Sequence, residues 1–113
     1  MKIEQLVLLL AVVAAAMPGM AAEDASKTVF AQKCASCHGK DGKGNPAMAK
    51  MFKLEPAALD LTTKAVTEKK DEDLIGLTSK GKGKMPSYAA KLKPEEIKGL
   101  VAYIRTLSAP KPK

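Results

Sequence analysis

The sequence is poor in the large side chains that fill a core: it has no tryptophan, two phenylalanines and two tyrosines among 113 residues. A small domain of this kind usually needs a disulfide, a metal or a cofactor to be stable. Its two cysteines, Cys34 and Cys37, allow a single disulfide, which would close a very short loop and remove little entropy from the unfolded chain. The scarcity of bulky side chains therefore favours a large apolar group as the missing part of the core.

A run long enough to span a membrane is also absent. The longest apolar stretch is LVLLLAVVAAAM at residues 6–17, whereas a membrane helix needs about 20 residues. Lys2 precedes the stretch and the small residues Gly19, Ala21 and Ala22 follow it, which is the layout of a secretory signal peptide. The sequence predicts a cleaved signal peptide over residues 1–22, an exported domain over residues 23–113, and no permanent membrane span in the mature chain.

Acidic residues are in the minority, with 12 Asp and Glu against 19 Lys and Arg, and the formal net charge is +7. A basic surface would steer acidic partners toward the protein, although the same lysines also suit a plain solvated surface. Nucleic acid is not an expected partner, because Arg105 is the only arginine and no aromatic side chains are interleaved with the lysines.

Sustained strand alternation is missing as well, and the pattern predicts an all-α domain with three main helices and long loops. The first helix is expected from about Asp24 to the glycine at position 39, and the second over residues 71–79. The last helix begins at Pro94, which suits a first helical position. Its apolar residues repeat at the spacing of one helix face: Ile97, Leu100, Val101 and Ile104.

All cysteines and the only histidine lie in one short motif, Cys34-Ala35-Ser36-Cys37-His38. A structural zinc site needs about four ligands, so zinc would have to borrow a carboxylate. A thioredoxin-type motif opens a helix after a strand, whereas this motif ends a helix. Cys-x-x-Cys-His is the attachment signature of haem c, in which both cysteines become thioethers and the histidine binds the iron. Haem is the favoured interpretation, and a bare dithiol or zinc site in a small binding protein remains the alternative.

A haem iron held by His38 needs further partners in the chain. The second ring nitrogen of the histidine needs an acceptor, and a carbonyl of the Asn45-Pro46 segment in the following loop is well placed to provide it. Met85 is the candidate for the opposite face of the haem, since it lies 47 residues after His38 in the segment GKGKMPSY, whose glycines let the backbone pass close to a flat ring. Met48 and Met51 are expected to pack in the core or at the haem edge.

Three segments together resemble those of class I cytochromes c, the small single-haem proteins of bacterial periplasms and photosynthetic lumens: CASCHGKDGKG, KGKGKMPSY and LKPEEIKGLVAYIRTL. The resemblance implies the cytochrome c fold wrapped around one haem c, with Met85 as the distal ligand and the Pro46 carbonyl bonded to His38. It also implies that Phe30, counted among the residues around the cofactor, crosses Leu100 and Tyr103 of the last helix. Ser26 departs from the pattern, because the family often has glycine at that crossing.

By the same resemblance, the protein would be a soluble, monomeric electron carrier and not an enzyme, exported to a bacterial periplasm or a compartment like a thylakoid lumen. Its partners would be redox proteins with acidic docking surfaces. The alternative is a five-coordinate haem protein with gas-binding or peroxidatic activity. Lysines that flank the attachment motif and the Met85 loop are the expected docking charges: Lys40, Lys43, Lys80, Lys82 and Lys84.

Overall fold

The computed structural model of the chain describes residues 18–108. Most of the predicted signal peptide, residues 1–17, lies outside this range. Within it the protein is helical, and its only strand-like pairing is an isolated bridge between Lys82 and Met85. None of the described helices is long and apolar enough to cross a membrane. The predicted all-α class is confirmed.

The helices follow one another with loops of varied length. The three main segments of the prediction are all present, and shorter helices fill the loops between them. In chain order the elements are α1 (Pro18–Val29), a π-helical turn (Phe30–Cys34), α2 (Ala35–His38), α3 (Pro46–Met51), a 3₁₀ turn (Pro56–Leu59), α4 (Lys64–Thr67), α5 (Asp71–Lys80) and α6 (Pro94–Leu107).

The first segment runs without a break from α1 through the π turn into α2. It starts at Pro18 and not near Asp24, so it includes residues that the sequence assigned to the end of the signal peptide. It ends as predicted at Gly39, whose φ of 80° and ψ of 156° lie in a region that is almost restricted to glycine. The glycine therefore directs the chain sharply out of α2 and into the next loop.

The crossing of α1 with α6 is confirmed. The Phe30 ring is 2% exposed, and its centroid lies 5.4 Å from that of Tyr103. Ser26 is 8% exposed and faces Gly99, where an added Cβ would lie 2.6 Å from the Ser26 hydroxyl oxygen. The serine is accommodated because α6 presents a glycine to it, an arrangement that the sequence analysis did not predict.

The end of α6 is tied to the start of α5 by Arg105. Its guanidinium donates hydrogen bonds to the Asp71 carboxylate at 2.7 Å, to the Lys69 carbonyl at 2.7 Å and to the Thr67 carbonyl at 3.3 Å. Asp71 is the first of three acidic residues in the first turn of α5, where they complement the helix dipole. This clamp fixes the start of α5, and the Met85 loop follows from the other end of that helix.

The core is small and incomplete. Its central cluster joins the π turn, α6 and the loop before α6 through Phe30, Leu92, Ile97 and Leu100. A larger set of apolar side chains packs against this cluster while staying only half-buried, including Val29, Cys34, Leu61, Ile75, Tyr88, Ile104 and Leu107. The chain thus builds one side of a core and leaves apolar surface that another group can cover.

Candidate functional site

The attachment motif lies on the π turn and α2. Cys34 closes the π turn, and Cys37 and His38 are the last residues of α2. Both thiols are free and half-buried. Burial raises the pKa of the Cys34 thiol to about 11, and the nearby Cys37 adds to the rise while Lys33 opposes it. At neutral pH the Cys34 thiol is therefore protonated and uncharged.

The His38 ring is oriented by a carbonyl on a distant turn. Its Nδ1 lies 2.8 Å from the carbonyl oxygen of Leu59, so Leu59 and not Pro46 provides the acceptor. Pro46 is the first residue of α3, where a carbonyl points along the axis toward its own helix. With Nδ1 engaged by the carbonyl, Nε2 is the nitrogen that remains to bind a metal.

The Asn45–Pro46 segment has a different task, which is to hold the loop against α2. The Asn45 side chain accepts hydrogen bonds from the amides of Ala47 and Met48 and donates one to the Ser36 carbonyl at 2.9 Å. The backbone amide of Asn45 donates a further hydrogen bond to the Cys37 carbonyl at 2.9 Å. Asn45 therefore caps α3 and fixes that helix beside the attachment motif.

The 3₁₀ turn brings Leu59 to the histidine. Pro56 begins this turn, and Leu59, its last residue, is buried. Gly44, with a φ of 97°, passes so close that an added Cβ would lie 3.3 Å from the Pro56 oxygen and from the Leu59 carbonyl carbon. The choice of the Leu59 carbonyl as the partner of His38 depends on this packing between distant segments, which no local sequence pattern reveals.

Met85 ends a tight two-residue turn after α5. Lys82 and Met85 exchange two backbone hydrogen bonds of 3.0 Å each, and Gly83 occupies the first central position with a φ of 59°. A glycine with positive φ at this position is typical of a type II′ turn. The turn leaves the Met85 side chain half-buried at its end.

The segment after Met85 is fastened to both neighbouring elements. The amides of Tyr88 and Ala89 donate to the carbonyls of Thr78 and Ser79 in α5, each at 3.1 Å. The Tyr88 hydroxyl donates to the Lys33 carbonyl at 3.0 Å, which connects the Met85 loop with the attachment motif. The sequence analysis did not single out Tyr88.

The two methionines of α3 and Phe52, which directly follows that helix, differ in their surroundings. Met48 is half-buried, in agreement with a packing role. Met51 is 67% exposed, so it does not pack in the protein core. Phe52 is half-buried, and the Lys84 ammonium lies 5.7 Å from its ring centroid, within the range of a cation–π interaction. This contact brings the Met85 turn to the end of α3.

The residues of the site fit a haem better than zinc. Two free thiols, an imidazole with Nε2 left for a metal, and half-buried apolar side chains form the donor set and wall that a covalent porphyrin requires. Within residues 18–108, no group of three or more His, Cys, Asp or Glu side chains is arranged to hold a metal ion. Phe30 leaves almost no surface for a cofactor, and the structure assigns it to the helix crossing.

Comparison with known proteins decides between these interpretations. Residues 21–104 match the family model described as cytochrome c oxidase, cbb3-type, subunit III. The chain belongs to this cytochrome c family. It is therefore a c-type cytochrome domain that carries covalently bound haem c, and the resemblance to small monohaem cytochromes c is confirmed.

The similar proteins include a subunit of a cbb3-type oxidase and a cytochrome c6. The cbb3-type oxidase subunit FixP of Bradyrhizobium sp. (strain ORS 278) is 35% identical over 77% of this cytochrome chain and 28% of FixP. Cytochrome c6 of Nostoc sp. (strain PCC 7120) is 34% identical over 77% of this chain and 73% of its own. The chain thus spans less than a third of the FixP protein and most of cytochrome c6.

A solved structure shows the same fold. The c-type cytochrome KustC0563 superposes with a TM-score of 0.63 and is 26% identical, over 74% of this chain and 98% of that one. Nearly the whole of a solved c-type cytochrome thus matches this chain.

Proposed function

We propose that this cytochrome is a one-electron carrier whose haem is bound by Cys34 and Cys37 and whose iron is ligated by His38 and Met85. The observation that carries the proposal is the fixed geometry of the histidine, whose Nδ1 is held by the Leu59 carbonyl at 2.8 Å. A ring fixed in this way presents Nε2 in one orientation, as metal-binding histidines usually do.

Each residue has a separate task in this proposal. Cys34 and Cys37 hold the cofactor by thioether bonds, and the Leu59 carbonyl accepts the Nδ1 proton of His38 and keeps the ring in one tautomer. The Lys82–Met85 turn holds the methionine whose sulfur would be the second protein ligand of the iron. When bound, the haem supplies an iron that changes between two oxidation states, and a thioether ligand favours the reduced one.

A carrier differs from an enzyme in the number of protein ligands at the iron. With His38 and Met85 both bound to the iron, no position would be open for a substrate, which supports the interpretation that the protein is not an enzyme. A five-coordinate haem protein with gas-binding or peroxidatic activity would instead leave one position free. Met85 is half-buried on a turn closed by two hydrogen bonds and tied to the attachment motif, and this favours the carrier.

An absorption spectrum tests this proposal. The matured protein should show, when oxidised, the weak far-red band of sulfur-to-iron charge transfer, and when reduced it should resist carbon monoxide. Absence of the far-red band together with ready carbon monoxide binding would identify a five-coordinate iron and reject the carrier.

The setting of the carrier is also a proposal. We infer a protein exported to a bacterial periplasm or similar compartment, on the basis of the signal-peptide pattern at residues 1–22, and a monomer, as the resemblance to small cytochromes c implies. Its partners are redox proteins with acidic surfaces. Five exposed lysines around the attachment motif and the Met85 turn would meet them: Lys40, Lys43, Lys80, Lys82 and Lys84.

A further inference from the structure

Tyr88 joins the two parts of the chain that would hold the iron. It follows Met85 by three residues, and its hydroxyl donates a 3.0 Å hydrogen bond to the carbonyl of Lys33. Lys33 immediately precedes Cys34 on the π turn. One side-chain hydrogen bond thus connects the methionine loop to the cysteine that would bind the haem, across 55 residues of sequence.

The π turn explains why a carbonyl is available at this position. The Ala35 amide donates to the Phe30 carbonyl, five residues back, and the Gly39 amide donates to the Ala35 carbonyl, four residues back. Between these two bonds lie four carbonyls, those of residues 31–34, and three amides, those of residues 36–38, so the change of spacing leaves one more carbonyl than amides. The Lys33 carbonyl lies in this segment and receives the Tyr88 hydroxyl.

The backbone of Tyr88 is held as firmly as its hydroxyl. Its amide donates to the Thr78 carbonyl of α5, and its carbonyl accepts the amides of Lys91 and Leu92 at 3.0 and 2.9 Å. Its ring packs against the core cluster and lies 5.4 Å from the Lys91 ammonium. Both ends of the residue are therefore fixed, one on α5 and one on the attachment motif.

The chain between Met85 and Tyr88 is short and stiff. Pro86 restricts the backbone directly after the methionine. Ser87 donates its hydroxyl to the Ser79 carbonyl at 2.5 Å. A restraint on Tyr88 is therefore transmitted to Met85 through two residues that are themselves restrained.

We propose that Tyr88 is a positioning residue for Met85, and that its hydrogen bond to the Lys33 carbonyl keeps the methionine sulfur at the iron. This inference rests on the proposed ligation by Met85. Burial raises the pKa of the Tyr88 phenol, so the hydroxyl remains a donor at neutral pH. Without the hydroxyl, the Met85 loop would be detached from the attachment motif in a larger fraction of the molecules. In those molecules the iron would be accessible to other ligands.

The test compares two Tyr→Phe variants of the matured, haem-bearing protein. Tyr88→Phe keeps the ring and its core contacts and removes the hydroxyl. Tyr103→Phe is the matched control, because Tyr103 is also a half-buried tyrosine of the core cluster and its hydroxyl has no hydrogen bond within the described residues. Imidazole is titrated into the oxidised proteins while the far-red band is followed.

Tyr88→Phe should bind imidazole about fivefold more tightly than the parent protein, since one neutral hydrogen bond changes an equilibrium by about this factor. Tyr103→Phe should remain within about twofold of the parent. Equal affinities of the two variants, or a lower melting temperature of Tyr88→Phe with unchanged imidazole affinity, would overturn the inference. Absence of the far-red band in the parent protein would instead reject the ligation by Met85.

Discussion

At the scale of single residues, the site depends on backbone positions that only glycine can occupy. Gly81 leaves α5 with a φ of 75° and a ψ of 171°. A Cβ at this position would lie 2.6 Å from the Met85 oxygen and 2.8 Å from atoms of Pro86 and Ser87. The glycine is therefore needed both for its conformation and for the close approach of the methionine turn.

We predict that Gly81→Ala lowers the free energy of unfolding by about 1–3 kcal/mol, because alanine would be strained at this φ and would press on the backbone of the Met85 turn. Denaturant titration followed by circular dichroism measures the loss. The far-red band of the oxidised variant should also weaken.

Gly76→Ala is the matched control, since Gly76 lies within α5 and an added Cβ there would meet no atom within 4 Å. This change should raise the free energy of unfolding by about 0.5–1 kcal/mol, the usual gain for alanine within a helix. Similar effects of the two substitutions would show that the strain assigned to position 81 is absent.

Sequence reasoning at the residue scale found the attachment motif and proposed Met85 from motif and composition alone. It did not identify the carbonyl partner of His38, because that partner, Leu59, lies 21 residues away and is brought there by a 3₁₀ turn packed on Gly44. Tyr88 escaped notice for the same reason, since its hydrogen bond spans 55 residues. Local patterns carry little information on contacts of this range.

At the scale of elements, periodicity and capping residues predicted the helices that matter most. Pro94 and the apolar spacing located α6, and the acidic first turn located α5. The π turn was not predicted, because a change from four-residue to five-residue hydrogen bonding leaves no clear mark on the sequence. The fit of Ser26 against Gly99 also required the structure, since it depends on how α1 and α6 cross.

Arg105 of α6 binds the end of α4, the start of α5 and the segment between them, so its substitution tests how strongly these elements are held together. We predict that Arg105→Lys lowers the free energy of unfolding by about 1–2 kcal/mol, because the guanidinium reaches the Asp71 carboxylate and two carbonyls from three separate nitrogens, whereas a lysine has only one. Thermal or denaturant unfolding measures this loss.

Asp71→Asn separates the ion pair from the carbonyl contacts. The Asp71 side chain is 62% exposed and that of Arg105 34%, so solvent screens the pair and the change should cost less than about 1 kcal/mol. A larger loss for Asp71→Asn than for Arg105→Lys would mean that the ion pair, and not the two carbonyls, dominates the clamp.

At the scale of the whole molecule, the protein combines an incomplete apolar core with an excess of positive charge. The sequence indicated both through its few aromatic residues and its net charge of +7. The structure adds that several apolar side chains around the central cluster stay half-buried, as expected of a wall that a haem would cover.

Charge steering gives a prediction for the whole surface. Electron transfer to an acidic redox protein should slow as ionic strength rises, because salt screens the attraction that brings the partners together. Lys82→Glu, beside Met85, should lower the second-order rate constant by at least about twofold at low salt and flatten the salt dependence.

Lys98→Glu is the control for this prediction, because Lys98 is an exposed lysine of α6 and carries the same change of charge. It should change the rate less than Lys82→Glu does. Stopped-flow kinetics over a range of salt concentrations provides the comparison, and a parent rate that does not vary with salt would remove the steering proposal.

The central claim is that Met85 is the second axial ligand of the haem iron. The most direct test is the far-red absorption of the oxidised protein after Met85→Ala, with Met48→Ala as the control because Met48 is also half-buried and lies on α3. The account predicts that Met85→Ala abolishes the band and lets the reduced iron bind carbon monoxide, while Met48→Ala keeps the parent spectrum. A Met85→Ala protein that retains the band would contradict it.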